Sequence, residues 1–125
     1  MRFLRCKLYS SQDTLYVYGS PQFFRKCLIE GQTDYIFGEA NVVFDFWELR
    51  WKGYSGTSFP GYITASYTGM LFNKCRVYGS SRNLNVVAGY FGRPWASTDK
   101  VMFINSTLKD ENMILPAGWF SMSGV

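Results

Sequence analysis

A short pattern of apolar residues recurs five times along this 125-residue chain and constrains its fold more than any other feature. Each occurrence has an aromatic residue, two further residues, a small residue or Trp, one more residue and then an aliphatic residue. The occurrences begin at Phe3, Phe24, Phe44, Phe72 and Phe103, so successive starts are 21, 20, 28 and 31 residues apart. A period of about 20 to 30 residues is typical of solenoids, in which each repeat stacks on the one before it.

The segments inside each repeat favour β-strands. Residues 15–18, 34–37, 61–64 and 101–104 are rich in β-branched and aromatic side chains, and Gly or polar residues separate them. No helix-length stretch carries a convincing apolar stripe at a spacing of 3.6 residues. The sequence therefore predicts an all-β solenoid of about five coils, with residues 1–125 forming one partial domain.

Composition and charge limit the classes of function. A hydrophobic content of 47% predicts a folded, soluble chain, and no apolar run is long enough to span a membrane. The net charge of +4 is compatible with an acidic partner, but no nucleic-acid-binding motif is present. The first residues lack the apolar run of a signal peptide. Because they begin in the middle of a repeat, we expect sequence to be missing before them.

The side chains that are absent narrow the possible chemistry. The chain has no His, and its three Cys are well separated, which argues against His-based triads, zinc sites and CxxC redox motifs. We therefore expect no metal site, and carboxylates, Arg and amides are left to carry any chemistry. Cys6, Cys27 and Cys75 share one repeat position with Trp47 and Ser106 and are expected to fill an interior column. Whether Cys6 and Cys27 form a disulfide is left open.

Two carboxylates occupy a second shared position of the repeat. Asp13 and Asp34 each lie ten residues after a leading Phe, so stacked coils would place them on one face. Neighbouring carboxylates cannot both ionise cheaply, so one pKa is expected to rise and the other to fall. Gln12 offers an amide donor for a developing oxyanion, and Arg93 could hold one carboxylate ionised. Trp95 offers a flat apolar face that suits a sugar ring.

Two Gly-rich or Ser-rich stretches, residues 50–60 and 79–92, interrupt the regular spacing of the repeat. We interpret them as excursions from the coil. In solenoids, such loops commonly form the walls of a binding groove.

Several motifs together resemble the pectin methylesterase (pectinesterase) family over nearly the whole chain. The first are Gln12-Asp13-Thr14-Leu15-Tyr16 and Gly31-Gln32-Thr33-Asp34-Tyr35-Ile36-Phe37-Gly38. Gly61-Tyr62-Ile63-Thr64-Ala65, Phe91-Gly92-Arg93-Pro94-Trp95 and Leu115-Pro116-Ala117-Gly118-Trp119 follow in the order of the family. The final Met122-Ser123-Gly124 is similar to bacterial members.

The resemblance implies a right-handed, single-stranded parallel β-helix that removes methyl esters from the galacturonate units of pectin without a cofactor. By motif position, Asp34 would be the nucleophile and Asp13 the general acid and then base. Gln12 would stabilise the oxyanion, Arg93 would hold Asp34 ionised, and Trp95 would shape the sugar subsite. The remaining positions that line the groove in relatives are Tyr16, Thr33, Phe37 and Met122. The resemblance also implies a secreted enzyme, with a monomer expected and methyl-esterified pectin as its partner.

This chain departs from the family pattern at one point that bears on activity. Relatives carry a second oxyanion Gln one coil before the Gln-Asp dipeptide, and this sequence begins after that position. There are two alternatives to the esterase. One is a β-helix glycoside hydrolase that uses two carboxylates, which is less favoured because stacked carboxylates with an Arg partner suit acyl transfer better. The other is an inactive, truncated β-helix that at most binds acidic polysaccharide.

Overall fold

The computed structural model describes residues 2–52, 60–79, 89–109 and 114–121, and all its regular elements there are β-strands. The strands are β1 Arg2–Leu4, β2 Lys7–Tyr9, β3 Leu15–Val17, β4 Gln22–Arg25, β5 Leu28–Gly31, β6 Ile36–Gly38, β7 Val42–Asp45, β8 Glu48–Trp51, β9 Tyr62–Ser66, β10 Gly69–Asn73, β11 Arg76–Gly79, β12 Tyr90–Pro94, β13 Lys100–Ile104 and β14 Thr107–Leu108.

Every third strand joins the same sheet. The first sheet has the order β1-β4-β7-β10-β13, the second β14-β11-β8-β5-β2, and the third β12-β9-β6-β3. All strand pairs among the described residues are parallel, and each of the first four coils adds one strand to each sheet. The predicted architecture is confirmed as a right-handed parallel β-helix, here of four coils followed by the two strands of a fifth.

The repeat identified in the sequence is the register of the first sheet. Phe3, Phe24, Phe44, Phe72 and Phe103 are paired in succession across its five strands. The ring centroids of Phe44 and Phe72 lie 4.6 Å apart, and those of Phe72 and Phe103 lie 4.4 Å apart, with nearly parallel planes. These rings form a stack inside the helix, because equivalent residues of adjacent parallel strands are separated by about 4.8 Å.

The other two repeat positions also form columns. The aliphatic position is paired across the second sheet from Leu8 through Ile29, Leu49 and Val77 to Leu108. At the small-residue position, the Cys6 N–H donates to Cys27 Sγ at 3.1 Å, and the Cys75 N–H donates to Ser106 Oγ at 3.1 Å. The predicted interior column is therefore present.

One turn conformation repeats between the first and second sheets. The residues at this turn have φ angles between 48° and 57° although none of them is Gly: Arg5, Lys26, Phe46, Lys74 and Asn105. The left-handed region is disfavoured for residues with a Cβ, so the stacked strands on both sides must hold it in place. The five turns have a common geometry, which keeps the coils in register.

The predicted excursions are shorter than the sequence analysis proposed. Strand β8 continues through Trp51, β11 through Gly79, and β12 begins at Tyr90, because these residues pair with the neighbouring coils. Residues 53–59 and 80–88 lie outside the described residues. Within the ranges given above, we find no helix with the length and apolar character needed to cross a bilayer.

Candidate active site

Asp13 and Asp34 lie at the turn between the second and third sheets, on coils one and two. The residues before them, Gln12 and Thr33, form a parallel bridge, and the Asp13 N–H donates to the Thr33 carbonyl at 3.2 Å. Both Asp residues have left-handed backbones, with φ of 51° and 45°. Asp is among the non-Gly residues that adopt this conformation most readily. The fold thus stacks the two aspartates in one repeat position, as the sequence predicted.

Arg93, from β12 on the fourth coil, reaches Asp34. Its Nε donates to Asp34 Oδ1 at 2.9 Å and lies 3.2 Å from Oδ2, and its second guanidinium nitrogen donates to Oδ2. Asp34 is only 2% exposed. A planar guanidinium on a buried carboxylate fixes the direction of the carboxylate as well as its charge. The contact expected from the sequence is present, across 59 residues of chain.

The Arg93 guanidinium also packs against the face of an aromatic ring. Its guanidinium carbon lies 4.6 Å from the centroid of Tyr62, a residue of β9. The Tyr62 ring stacks on Tyr90 at 5.7 Å and meets Phe120 edge-on at 5.5 Å. A cation over an aromatic face is attracted by the ring quadrupole. This cluster restricts the positions that Arg93 can take.

Gly92 allows β12 to approach β9 closely at this point. A Cβ on Gly92 would lie 2.0 Å from Thr64 Oγ1, whose hydroxyl donates to the Phe91 carbonyl, and 3.1 Å from the ring of Trp119. A side chain there would therefore push β12 outwards. Since Arg93 is the next residue, the bare backbone at Gly92 sets the distance from which the guanidinium reaches Asp34.

Burial raises the pKa of the Asp34 carboxyl above its ordinary value. The hydrogen bonds and the positive charge of Arg93 lower that pKa, and the charge of Asp13 raises it. We expected one of the two carboxyl pKa values to fall and Arg93 to hold Asp34 ionised. The pKa of Asp34 is instead raised, because loss of hydration outweighs the ion pair. The charge of Asp13 also acts on Arg93, which places the Asp13 carboxylate near the pair.

Aromatic side chains extend from the aspartates along the third sheet. Tyr16 stacks on Phe37 at 5.0 Å, and Phe37 lies 6.1 Å from Trp95. Tyr67 meets Trp95 edge-on at 5.2 Å, and Tyr18 lies 5.8 Å from Tyr16. These five residues form a row that we call the aromatic groove. Flat, partly exposed rings of this kind suit the apolar faces of sugar rings.

The structure brings together most of the residues singled out from the sequence. Gln12 and Thr33 are adjacent on the first two coils, and Tyr16, Phe37 and Trp95 lie in one row. Met122 lies outside the described residues. Over the described part of the chain, no three His, Cys, Asp or Glu side chains gather as they would around a metal ion.

Sequence reasoning missed three residues of this region: Tyr62, Tyr67 and Tyr18. Tyr62 stands inside a motif that was recognised, but the contact of its ring with Arg93 depends on the pairing of β9 with β12. Tyr67 and Tyr18 are exposed aromatics, 42% and 64% respectively, at the ends of strands. Their aromatic side chains, close to the predicted sugar subsite, were the sequence signal that could have identified them.

The sequence matches the family model for pectinesterase over residues 1–125. The chain belongs to the pectinesterase family. It is 34% identical to pectinesterase/pectinesterase inhibitor U1 of Solanum lycopersicum, an alignment that covers 98% of this chain and 22% of the relative. It is 36% identical to probable pectinesterase A of Neosartorya fischeri, with 97% of this chain and 37% of the relative covered. The chain therefore spans less than two-fifths of the length of these relatives.

Solved pectinesterases share the fold. Pectin methylesterase from carrot superposes with a TM-score of 0.86 at 34% identity, covering 98% of this chain and 41% of the carrot chain. The enzyme from Aspergillus niger gives a TM-score of 0.82 at 34% identity, covering 95% of this chain and 40% of the other. The particular likeness to bacterial members, carried by residues 122–124, stays a prediction.

Proposed function

We propose that this chain carries the catalytic centre of a carboxylic ester hydrolase that removes methyl groups from the galacturonate units of pectin. The observation that carries the proposal is the buried Asp34 carboxylate, held by hydrogen bonds from Arg93, with Asp13 at the same position of the adjacent coil. Membership of the pectinesterase family supports the choice of ester and of polymer.

In the first half of the reaction, Asp34 is the nucleophile. Arg93 keeps its carboxylate ionised and aimed, so that one oxygen attacks the ester carbonyl carbon. The carbonyl oxygen becomes an oxyanion, to which the Gln12 amide donates a hydrogen bond. Collapse of this tetrahedral species breaks the bond to the methoxy oxygen. Asp13, as general acid, gives its proton to that oxygen, and methanol leaves.

In the second half, the acid anhydride formed on Asp34 is hydrolysed. Asp13, now ionised, takes a proton from water, and the resulting hydroxide attacks the carbonyl carbon of the galacturonate. The bond to Asp34 breaks and the carboxylate of Asp34 is restored. The product is a free galacturonate carboxyl. Stacking Asp13 on Asp34 lets one group serve both proton transfers without moving to another site.

The aromatic groove supplies the binding surface for the polymer. Trp95 shapes the sugar subsite next to the aspartates, and Tyr16, Phe37 and Thr33 line the groove beside it. The Tyr16 hydroxyl donates to Glu39 Oε1 at 3.3 Å, which restrains its ring. The net charge of +4 favours approach to a partly de-esterified, acidic polysaccharide. Because pectin is a polymer of the cell wall, we propose that the protein acts outside the cell.

The proposal is tested by incubating the purified chain with highly methylated pectin and measuring two products. Release of methanol with no rise in reducing ends is the expected result. A rise in reducing ends would instead indicate cleavage of glycosidic bonds. Binding of pectin without either product would leave a β-helix that only binds polysaccharide, and the esterase proposal would be wrong for this chain.

Replacing Arg93 with Gln is expected to move the acidic limb of the pH–rate profile to higher pH. Protonation of Asp34 inactivates the nucleophile as the pH falls through its pKa, and Arg93 lowers that pKa. Without the guanidinium the pKa rises further, so activity is lost at a higher pH. We also expect kcat to fall by about 100- to 1,000-fold, as with other positioned electrostatic groups.

The measurement is methanol release between about pH 4 and 9, a range that begins near the ordinary pKa of Asp. Arg76→Gln is the matched control, because Arg76 is exposed on the second sheet and contacts Tyr78. Its profile should match that of the parent protein. An acidic limb that stays in place, or moves to lower pH, in Arg93→Gln would contradict the role given to this ion pair.

A further inference from the structure

Two of the three thiols lie against each other at the junction of the first two coils. Cys6 and Cys27 occupy one column between the paired residues Leu4 with Arg25 and Lys7 with Leu28. In-register neighbours on parallel strands have Cα atoms about 4.8 Å apart, within the range of roughly 4.4 to 6.8 Å found for disulfides. The Cys6 N–H donates to Cys27 Sγ at 3.1 Å, and the two thiols also contact each other.

The two sulfurs differ in their access to solvent. Cys27 is only 2% exposed, and burial raises the pKa of its thiol to about 11. Cys6 is partly exposed and opens onto a surface groove of about 400 Å³. Three cations, Arg5, Lys7 and Lys26, line that groove, with Glu48 as a counter-charge. An anionic oxidant is therefore attracted to the groove, whose lining includes both Cys6 and Cys27, and Cys6 is the more exposed of the two.

We propose that Cys6 and Cys27 are a disulfide-forming pair that links coil one to coil two. The oxidant is a low-molecular-weight disulfide such as oxidised glutathione. The Cys6 thiolate attacks one of its sulfurs and releases one reduced thiol, which leaves a mixed disulfide on Cys6. The Cys27 thiolate then attacks the Cys6 sulfur and releases the second reduced thiol. Two protein thiols are oxidised, one disulfide is reduced to two thiols, and two protons pass to the released molecules.

The third cysteine is excluded from this chemistry by its place in the column. Trp47 occupies the coil between Cys27 and Cys75, and Ser106 lies on the far side of Cys75. Cys75 Sγ faces the backbone carbonyls of Phe44 and Asn73. Cys75 therefore has no thiol on either adjacent coil, and it serves as an internal control.

The bond would hold the two coils that carry the stacked aspartates. Cys6 and Cys27 precede Asp13 and Asp34 by seven residues each. A bond between them closes a loop that contains β2 and β3 of coil one and β4, the first strand of coil two. It would restrict sliding or fraying of coil one on coil two, whose hydrogen bonds otherwise fix the position of Asp13 over Asp34.

The experiment uses the purified chain with oxidised glutathione at about pH 8, near the ordinary pKa of a thiol. The expected product has lost two hydrogen atoms in mass and retains one free thiol, and peptide mapping shows Cys6 joined to Cys27. The midpoint of thermal unfolding should rise by about 10 °C on oxidation and return after reduction with dithiothreitol. The Cys75→Ala variant should behave in the same way, whereas Cys27→Ala should stop at a glutathione adduct on Cys6.

Three results would overturn the proposal. The parent chain could stop at a stable glutathione adduct on Cys6, form a dimer through Cys6, or keep all three thiols. Each of these is read from the mass and peptide map of the unaltered protein, so the outcome does not depend on whether any Cys variant folds. None of them depends on esterase activity.

Discussion

Replacing Asp34 with Asn is expected to abolish methanol release, with kcat lowered by about 1,000-fold or more, as for other removed nucleophiles. The amide of Asn has nearly the shape of the carboxylate but cannot attack an ester carbonyl carbon. It also removes the charge that Arg93 neutralises across two hydrogen bonds. The measurement is the initial rate of methanol release from methylated pectin at saturating substrate.

Asp45→Asn is the matched control for this substitution. Asp45 is also a carboxylate beside an arginine, with Arg25 Nε at 3.5 Å, but it lies on the first sheet. The control should retain the parent rate. If Asp34→Asn kept more than a tenth of the activity while folded, Asp34 would not be the nucleophile. Circular dichroism of both variants separates loss of chemistry from loss of fold.

Replacing Phe72 with Ala is expected to destabilise the protein by about 4 kcal/mol or more. Its ring is fully buried and stacks on both Phe44 and Phe103. Removing it leaves a cavity and breaks two ring contacts, each worth about 0.5 to 1.5 kcal/mol beyond the buried area. Since domains of this size are stable by about 5 to 15 kcal/mol, the variant should be close to unfolding.

Phe46→Ala is the control for Phe72→Ala, because it removes the same side chain from an exposed position. Phe46 is 40% exposed and contacts the cations of Arg25 and Lys74 over its ring. We expect it to cost no more than about 1 kcal/mol, the scale of exposed cation–π contacts. Urea unfolding followed by tryptophan fluorescence gives both free energies of unfolding. Equal losses in the two variants would show that the ring stack is not a main source of stability.

The fold could be predicted from the sequence because the pattern that specifies it is short and is repeated in every coil. The spacing of Phe24, Phe44 and Phe72 already gives the register of the first sheet, since each coil must bury the same position on the next. The limits of the two excursions were harder to predict from the sequence. Arg50 and Trp51 were predicted to belong to the first excursion. Both residues instead lie in β8, because they pair with β5 and β11.

In the candidate site, the positions of the two aspartates could be predicted from the sequence, but their electrostatic environment could not. The same repeat phase predicts that Asp13 and Asp34 stack, because both lie at a fixed distance from a leading Phe. The rise in the pKa of Asp34 was not predicted from the sequence. It depends on how completely the carboxylate is removed from water, and the charge pattern of the sequence does not contain that quantity.

By itself, the sequence determined the solenoid, its columns of Phe, Cys and aliphatic side chains, and the shared position of the two aspartates, because a repeat converts spacing along the chain into stacking in space. Tertiary structure alone decided that Tyr62 supports Arg93, that burial outweighs the ion pair at Asp34, and that Cys6 is open to solvent while Cys27 is not. Each of these depends on distances between different sheets or on solvent access, and both are set only when the coils close around a common core.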